Sequence, residues 1–247
     1  MERGNARAYS VNDAQRHRPN SVIRQGLLHQ ERVQLKKRAH IGFRVCQLNI
    51  GSMTGRGREL ANLMRKRKVD VLCVQETRWK GNKAKELGDG YKLYYSGANK
   101  QGRNGVGIVL SGELKKTVIE VQRKNDCIIR LKMCFGGESL NIISAYAPQV
   151  GCTEEEKGSF WRDMDGVMQE VEEHERVIVG ADLNGHVGCE NEAIGRVHGG
   201  HGIGERNPEG ENVVDFAVAL DMAIVNTFFM KKREHLITYR SGEDVPK

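Results

Sequence analysis

An almost entirely apolar run, VDVLCVQE over residues 69–76, constrains the fold of this chain more than any other stretch. A strand without polar alternation is typical of a sheet that is covered on both faces. The stretch GRELANLMRKRK before it places Leu60, Leu63 and Met64 on one helical face, and FRVCQLN before that favours another strand. We therefore predict a strand–helix–strand unit of an α/β protein, although the pattern does not determine whether the two strands are adjacent or parallel.

The middle third of the chain predicts antiparallel strands followed by a helix. Short apolar segments separated by Gly, Ser, Asn and charged turns are typical of a meander, and they are YKLYYSG, NGVGIVL, TVIEVQ, IIRLKMCF and LNIISAYAP. The stretch TEEE is a capping box in which Thr153 caps a helix and Glu156 lies three residues on. The buried stripe of this helix is expected at Phe160, Met164, Val167, Met168 and Val171.

The last third predicts one more strand–loop–helix succession and two further strands. RVIVGADLN is expected to form a strand from Val177, and residues 185–211 a long loop rich in Gly, His and Asn. Loops of this length in compact domains are usually functional or disordered. NVVDFAVALDM predicts a third helix, and AIVNTFF and LITYRS predict strands. The expected architecture is α/β, with two sheets in the core and helices outside, in one domain over residues 41–247.

The charge of the chain is concentrated at its beginning. Residues 1–40 contain nine Lys or Arg and three Asp or Glu, so they carry +6 of the formal net charge of +7. They show little apolar periodicity, which predicts a disordered basic arm. Such an arm favours polyanions through counterion release, without reading sequence. A solvated tail with no partner explains it equally well.

The cysteine pattern indicates a reducing compartment, nucleus or cytoplasm. None of the six cysteines forms a CxxC pair, so neither a disulfide framework nor a zinc site is indicated. No run approaches the roughly 18 consecutive apolar residues that a membrane helix needs. The N-terminus also lacks the apolar core of a secretory signal. We therefore expect no membrane partner, and the sequence does not predict an oligomeric state.

Four predicted apolar strands end in a polar side chain where a loop begins. The side chains are Asn49, Glu76, Tyr146, and Asp182 with Asn184. Strand ends hold side chains rigidly and leave them open to solvent, which suits a functional site. Two carboxylates and two amides supply oxygen ligands that suit Mg²⁺, and a cation or donated hydrogen bonds would keep Asp182 ionised. Taken singly, Asn49 is also explained as a turn former and Tyr146 as a core aromatic.

The order of these motifs resembles the endonuclease/exonuclease/phosphatase superfamily, which includes apurinic endonucleases, DNase I and the endonucleases of non-LTR retrotransposons. The matching motifs are QLN (47–49), QE (75–76), NGVGIVL (104–110), YAP (146–148) and GADLN (180–184). The retrotransposon type (LINE/RTE) is most similar, through QETRW, GADLNGHVG, NPEGENVVDF and VNTFF. The match extends to the craniofacial development protein 2-like group, which carries such a domain, and it covers residues 41–241.

The resemblance implies a DNase I-like four-layer α/β sandwich, with two packed mixed sheets flanked by helices. It implies Mg²⁺, or Mn²⁺, as cofactor, with Glu76 as principal ligand and Asn49, Asp182 and Asn184 contributing to the metal site. Asp182 and Asn184 would also orient or activate the attacking water, and Tyr146 would hydrogen-bond the phosphate. The implied reaction is in-line hydrolysis of a DNA phosphodiester. The protein would contact the DNA backbone from the minor-groove side.

Two signatures of the superfamily do not occur in these 247 residues: an Asp before an aromatic residue in a late strand, and a terminal Asp-His. The His would contribute roughly 10²- to 10⁴-fold in rate as a proton acceptor. We therefore expect a C-terminally truncated domain whose last strands are missing and whose activity is weak or absent. The loop histidines His186, His198 and His201 are not favoured as substitutes, because histidines between loop glycines are more often solvated or bound to substrate phosphate.

Three functions follow from the sequence. The favoured one is a Mg²⁺-dependent DNA-nicking endonuclease domain of retrotransposon origin, weakened or inactive in this chain. The second is a non-catalytic nucleic-acid-binding remnant that uses the basic arm and the preserved strand ends. The third, a phosphatase or phospholipid hydrolase on the same fold, is less favoured because the basic arm and the QETRW and VNTFF motifs indicate DNA.

Overall fold

The computed structural model describes residues 7–10, 42–192 and 194–231. Within the predicted basic arm it describes only Arg7–Ser10, which form strand β1. These four residues differ from the expected disorder because they pair antiparallel with residues 44–47, whose edge offers unpaired N–H and C=O groups. The rest of the arm and the predicted strand LITYRS lie outside the described residues.

Six strands form the first sheet. After β1 the elements are β2 (Arg44–Asn49), helix α1 (Gly57–Arg67), β3 (Val71–Gln75), β4 (Lys83–Gly88), β5 (Tyr91–Ser96) and β6 (Val106–Leu110). The spatial order is β1–β2–β3–β6–β5–β4. β2 and β3 are parallel neighbours joined by α1, and the other pairs are antiparallel. The predicted strand–helix–strand unit is therefore an adjacent, parallel pair within a mixed sheet.

Four strands form the second sheet. They are β7 (Val118–Arg123), β8 (Ile128–Phe135), β9 (Glu138–Tyr146) and β10 (Arg176–Asp182), in the spatial order β10–β9–β8–β7. β9 and β10 are parallel, with helix α2 (Glu154–Gln169) between them in the chain, and the other two pairs are antiparallel. The second sheet is therefore mixed as well.

Three apolar clusters divide the molecule into four layers. One lies between the two sheets, the second joins the first sheet to α1, and the third joins the second sheet to α2. They include Val71, Ile108 and Ile142 between the sheets, Leu60 and Met64 on α1, and Phe160, Met164 and Val167 on α2. The predicted α/β sandwich, two packed mixed sheets flanked by helices, is confirmed.

Local sequence explains where two of the helices begin. At α2 the predicted capping box is present: Thr153 Oγ1 accepts the N–H of Glu156 at 3.2 Å, and the Glu156 carboxylate accepts the N–H of Thr153 at 2.8 Å. Met168 and Val171, predicted on the buried stripe, are half-buried. Helix α3 (Pro208–Ala219) is capped by Asn207 and begins four residues before the predicted helix. No helix among the described residues is long and apolar enough to cross a membrane.

Two strand assignments differ from the sequence prediction. AIVNTFF was expected to be a strand, but Val225–Thr227 form a 3₁₀ helix. The loop before it uses the polar groups of this segment: the carbonyl of Thr227 accepts the N–H of His201 at 2.9 Å, and its hydroxyl accepts that of Gly199 at 2.8 Å. Conversely, the sequence does not predict β4, because all its residues except Leu87 are exposed and show no apolar alternation.

A buried polar link joins the two sheets. Gln75, which is fully buried on β3, donates from Nε2 to Ser144 Oγ on β9 and to the carbonyl of Gly180 on β10, both at 3.1 Å. Its Oε1 accepts from Gln47 Nε2 at 2.6 Å. Because a buried amide is costly unless its hydrogen bonds are made, this link specifies one alignment of the sheets.

A glycine allows the sheets to meet closely at the same place. A Cβ on Gly180 would lie 2.6 Å from Cys73 Sγ and 2.7 Å from Cys73 Cβ, so the strand β10 can approach β3 only without a side chain here. Glu76 and Asp182 follow the linked residues Gln75 and Gly180 by one and two positions. The close approach therefore sets the spacing of the strand ends that carry these acids.

We expect Gly180→Ala to destabilise the protein by about 1–3 kcal/mol, because an added methyl group would overlap the packed side chain of Cys73. Urea unfolding measures the change in the free energy of unfolding. Gly166→Ala on α2 is the matched control: its Cβ would meet only Lys124 Nζ, at 3.8 Å, so stability should stay the same or rise by about 0.4–1 kcal/mol. Equal losses in both variants would contradict the close-approach interpretation.

Candidate active site

The structure brings together the polar side chains at four strand ends. Asn49 ends β2 and Glu76 follows β3 in the first sheet, whereas Tyr146 and Asp182 end the parallel strands β9 and β10 in the second. Tyr146 and Asp182 are direct neighbours in register. The sheets meet so that these side chains form one hydrogen-bonded group at the edge of the sandwich.

The amide of Asn49 bridges the two carboxylates. Its Nδ2 donates to Glu76 Oε1 at 2.9 Å and to Asp182 Oδ2 at 3.1 Å, so those two oxygens are no more than 6.0 Å apart. Its Oδ1 accepts the N–H of Gly51 at 3.0 Å, which fixes the orientation of the amide. The side chain of Asn49 therefore presents its nitrogen, and not its oxygen, to the acids.

Glu76 is held as an anion by three donors. Oε1 accepts from Asn49 and from the phenol of Tyr146, the latter at 2.8 Å, and Oε2 accepts from Arg78 at 2.6 Å. Burial by itself would raise the pKa of Glu76, but the hydrogen bonds from Asn49, Arg78 and Tyr146 outweigh it and lower the pKa below its ordinary value. At neutral pH this side chain is a carboxylate.

Tyr146 is held as a neutral phenol. Burial and the hydrogen bond that it donates to the Glu76 carboxylate raise its pKa to about 12. Its oxygen accepts from Gln149 Nε2 at 3.0 Å. Sequence reasoning missed Gln149, whose signal is its position directly after the YAP motif. The phenol therefore keeps its proton and acts as a hydrogen-bond donor at neutral pH.

Asn184 lies beside Asp182 in a left-handed backbone conformation, with φ of +50°. Its N–H donates to Asp182 Oδ1 at 3.3 Å, and its Nδ2 donates to the carbonyl of Ala147 at 2.7 Å. Asparagine is among the few residues that adopt this conformation at low cost. Asn184 therefore closes the turn that follows Asp182 and ties it to the end of β9.

The first turn of α3 supports this turn through two glycines. A Cβ on Gly185 would lie 2.7 Å from the backbone of Glu209, and one on Gly210 would lie 1.8 Å from the carbonyl oxygen of His186. Asn207 Oδ1 accepts the N–H groups of both His186 and Gly210, at 2.9 Å and 2.8 Å. Sequence reasoning did not assign a role to Gly185, Asn207 or Gly210, although GADLNG and NPEGEN contain them.

The loop histidines lie at different depths. His198 is fully buried, and Nδ1 accepts the N–H of Gly200 at 3.2 Å. Burial, with the nearby charge of Arg206, lowers the pKa of His198, so it is neutral at neutral pH. His186 and His201 are exposed, and their backbone groups are tied to Asn207 and to Thr227. His198 therefore stabilises the loop from within.

The donor set at the strand ends fits a magnesium ion completed by substrate. Among the described residues no group of three or more His, Cys, Asp or Glu could hold a metal ion. Mg²⁺, however, is usually bound through one or two carboxylates together with phosphate oxygens and water. Glu76 and Asp182 supply two such carboxylates, with accepting oxygens no more than 6.0 Å apart, and each accepts hydrogen bonds from neighbouring groups.

The loops around the strand ends form a basic rim. Residues 50–56, 77–82 and 97–105 contain no Asp or Glu. The last two loops are joined by hydrogen bonds from Thr77 N–H to the Gly105 carbonyl and from Arg78 N–H to the Asn104 carbonyl. The exposed cations of this rim are Arg56, Arg78, Lys80, Lys100 and Arg103. These loops therefore place positive charge beside the two carboxylates.

Residues 46–209 match the model of the Endonuclease/Exonuclease/phosphatase family. Among curated proteins, craniofacial development protein 2 of Tragulus javanicus and that of Bos taurus are 27% and 26% identical over 175 residues. These alignments cover 71% of this chain but only 30% and 29% of the relatives, so the chain spans less than a third of their length. The resemblance inferred from the motifs is confirmed.

Two solved structures show the same fold. The endonuclease domain of TRAS1, a telomere-specific non-LTR retrotransposon, matches with a TM-score of 0.52 and 18% identity over 72% of each chain. An AP endonuclease from Archaeoglobus fulgidus matches with a TM-score of 0.50 and 20% identity, over 72% of this chain and 70% of that one. At these identities the likeness establishes the DNase I-like fold.

We expect Gly210→Ala to disturb the turn at Asn184, because its Cβ would overlap the His186 carbonyl. The loss in the free energy of unfolding should be about 1–3 kcal/mol, measured by urea unfolding. Gly158→Ala is the control on α2, where the Cβ would meet only the flexible end of Arg162 at 3.3 Å. A Gly210→Ala protein as stable as the Gly158→Ala protein would contradict the contact.

Proposed function

Since the chain belongs to the endonuclease/exonuclease/phosphatase family, we propose that it is a Mg²⁺-dependent endonuclease domain that nicks DNA. One observation carries the proposal: the polar side chains at the ends of four strands, two from each sheet, form one hydrogen-bonded group. These side chains are Asn49, Glu76, Tyr146 and Asp182. Two carboxylates set among hydrogen-bond donors, at an edge surrounded by cations, suit a phosphodiester.

The basic rim supports DNA as the substrate. Its five cations lie on loops that flank Glu76, so a phosphate backbone would be drawn across the two carboxylates. The retrotransposon type is supported by the motifs QETRW and NPEGENVVDF and is also the type of the TRAS1 endonuclease domain. The six cysteines are all free thiols, which supports the reducing environment of the nucleus or cytoplasm.

Glu76 and Asp182 are the residues that would hold Mg²⁺, with Asn49 and Asn184 beside them. The bound ion would supply charge stabilisation at the phosphoryl oxygens, usually the largest contribution to such a reaction. In the structure the Asn49 oxygen is engaged by Gly51, so Asn49 contributes here as a donor that aligns the two carboxylates.

Side chains of the protein would perform the other functions in the reaction. Asp182 would accept a hydrogen bond from the attacking water and orient it in line with the leaving oxygen. Tyr146, protonated because its pKa is about 12, would donate to a non-bridging phosphate oxygen as charge develops. Asn184 would keep the Asp182 carboxylate in place through its N–H.

We expect hydrolysis by these 247 residues to be slow. They contain no Asp-His pair, and a positioned proton acceptor of that kind contributes roughly 10²- to 10⁴-fold in rate. Of the loop histidines, His198 is buried inside its own loop. A non-catalytic nucleic-acid-binding domain is therefore the second candidate, favoured by the absence of an Asp-His pair from these 247 residues together with the basic rim.

Nicking of supercoiled plasmid in Mg²⁺ tests the proposal, since a single break is detected. We expect slow nicking that EDTA abolishes and that falls at least about 100-fold in Glu76→Gln and Asp182→Asn, because each removes a charged metal-binding group. Glu173→Gln, an exposed acid in the loop before β10, is the control and should nick like the unchanged chain.

The pattern of results separates the candidates. Salt-sensitive DNA binding without nicking would replace the enzyme with the binding domain. Hydrolysis of a soluble phosphomonoester, with plasmid left intact, would favour a phosphatase. Nicking that persists in both acid variants would show that these strand ends are not the site.

A further inference from the structure

Arg78 occupies the oxygen of Glu76 that a cation would need. Its guanidinium lies 2.6 Å from Oε2, whereas Oε1 already accepts from Asn49 and Tyr146. Asn49 is fixed by Gly51, and Tyr146 by its place in β9 and by Gln149. Arg78 is the exposed partner, with 51% of its side chain accessible against 15% for Glu76. It is therefore the donor that can leave.

The backbone around Arg78 is fixed, so only its side chain needs to move. Glu76 and Arg78 both have left-handed conformations, with φ of +56° and +53°, which ordinary residues keep only where the surroundings impose them. The N–H of Arg78 donates to the carbonyl of Asn104 at 3.0 Å. The next residue, Trp79, packs edge-to-face on Tyr95 at 5.4 Å. The guanidinium can thus swing away without disturbing the loop.

The ion pair is weak enough to be displaced. A salt bridge with an exposed partner contributes about fivefold or less to an equilibrium constant. A divalent cation at the same oxygen, with a second carboxylate nearby, competes effectively with a single guanidinium. Once released, a guanidinium presents a planar fork of donors that matches the oxygens of a phosphate group.

We propose that Arg78 is an internal counter-ion: it neutralises Glu76 until a divalent cation binds there, and then contacts a phosphate oxygen of the nucleic acid. The inference rests on the proposed function and adds a role for a residue outside the predicted site set. It requires that replacing Arg78 strengthens metal binding but slows nicking, because Arg78 competes with the metal for Glu76 and assists binding of the substrate phosphate.

Isothermal titration calorimetry of the 247-residue chain with Mn²⁺ alone tests the first half of the proposal, the competition between Arg78 and the metal. Arg78→Gln should lower the dissociation constant for Mn²⁺ by about threefold to fivefold, because it removes the competitor. Arg78→Lys keeps the positive charge and should stay within about twofold of the unchanged chain. Lys80→Gln removes one positive charge from the same loop but leaves the Arg78–Glu76 ion pair intact, so it should leave the dissociation constant for Mn²⁺ unchanged. Glu76→Gln should abolish this binding.

Plasmid nicking at saturating Mn²⁺ tests the second half. Arg78→Gln should nick at least about tenfold more slowly, as expected when one donor to a charged transition state is lost, and Arg78→Lys should recover part of the rate. Thermal melting of each variant checks that it is folded, and the exposed Arg78→Lys change provides a second folded variant.

Three results would overturn the inference. Weaker Mn²⁺ binding in Arg78→Gln would show that the guanidinium supports the metal site. Equal shifts in Arg78→Gln and Lys80→Gln would show a general charge effect. An unchanged nicking rate in Arg78→Gln would remove the phosphate contact. If the chain without substitutions neither binds Mn²⁺ nor nicks plasmid, the proposed function fails as well. If that chain nicks plasmid but one of the three results above is found, only the inference about Arg78 is overturned.

Discussion

The close approach of β3 to β10 is the contact on which the rest of the molecule depends. Elsewhere the sheets are separated by an apolar layer, but at Gly180 there is no side chain, and the backbone lies against Cys73. The buried amide of Gln75 donates hydrogen bonds across the same gap, to Ser144 and to the carbonyl of Gly180. Because such a group is costly when unsatisfied, sliding one sheet against the other would break the link. The strand ends immediately beyond it therefore keep a fixed separation.

The carboxylates at those ends illustrate how a fold can assemble like charges without a ligand. Two acids no more than 6.0 Å apart repel each other. Asn49 offsets this by donating to both acids, and Glu76 accepts from Tyr146 at Oε1 and from Arg78 at Oε2. Of these three donors only Arg78 is exposed.

Several glycines of the long loop lie where two backbone segments cross. A Cβ on Gly202 would lie 1.6 Å from the Gly188 carbonyl oxygen, and Gly185 and Gly210 exclude side chains where the loop meets α3. His198 is buried within the loop. These contacts connect the motif NPEGEN to the motif GADLNG, since the start of α3 holds the turn that carries Asn184. A long glycine-rich segment is thus compatible with a rigid support for the site.

The sequence by itself determined the layered α/β class, and it predicted which polar side chains stand at the strand ends that meet. Strand and helix periodicities are local properties, and polar residues at the ends of apolar runs are visible in one dimension, as Glu76 and Asp182 show. The tertiary structure decided the rest. The edge strand β4 carries no apolar alternation, and the expected strand at 223–229 accepts hydrogen bonds from the neighbouring loop. Gly180 and Gly210 matter only because groups distant in the sequence, the Cys73 side chain and the His186 carbonyl, lie against them. Which group donates to each oxygen of Glu76 likewise depends on residues brought together by packing, since hydrogen bonds between strand ends depend on how the sheets meet and not on sequence spacing.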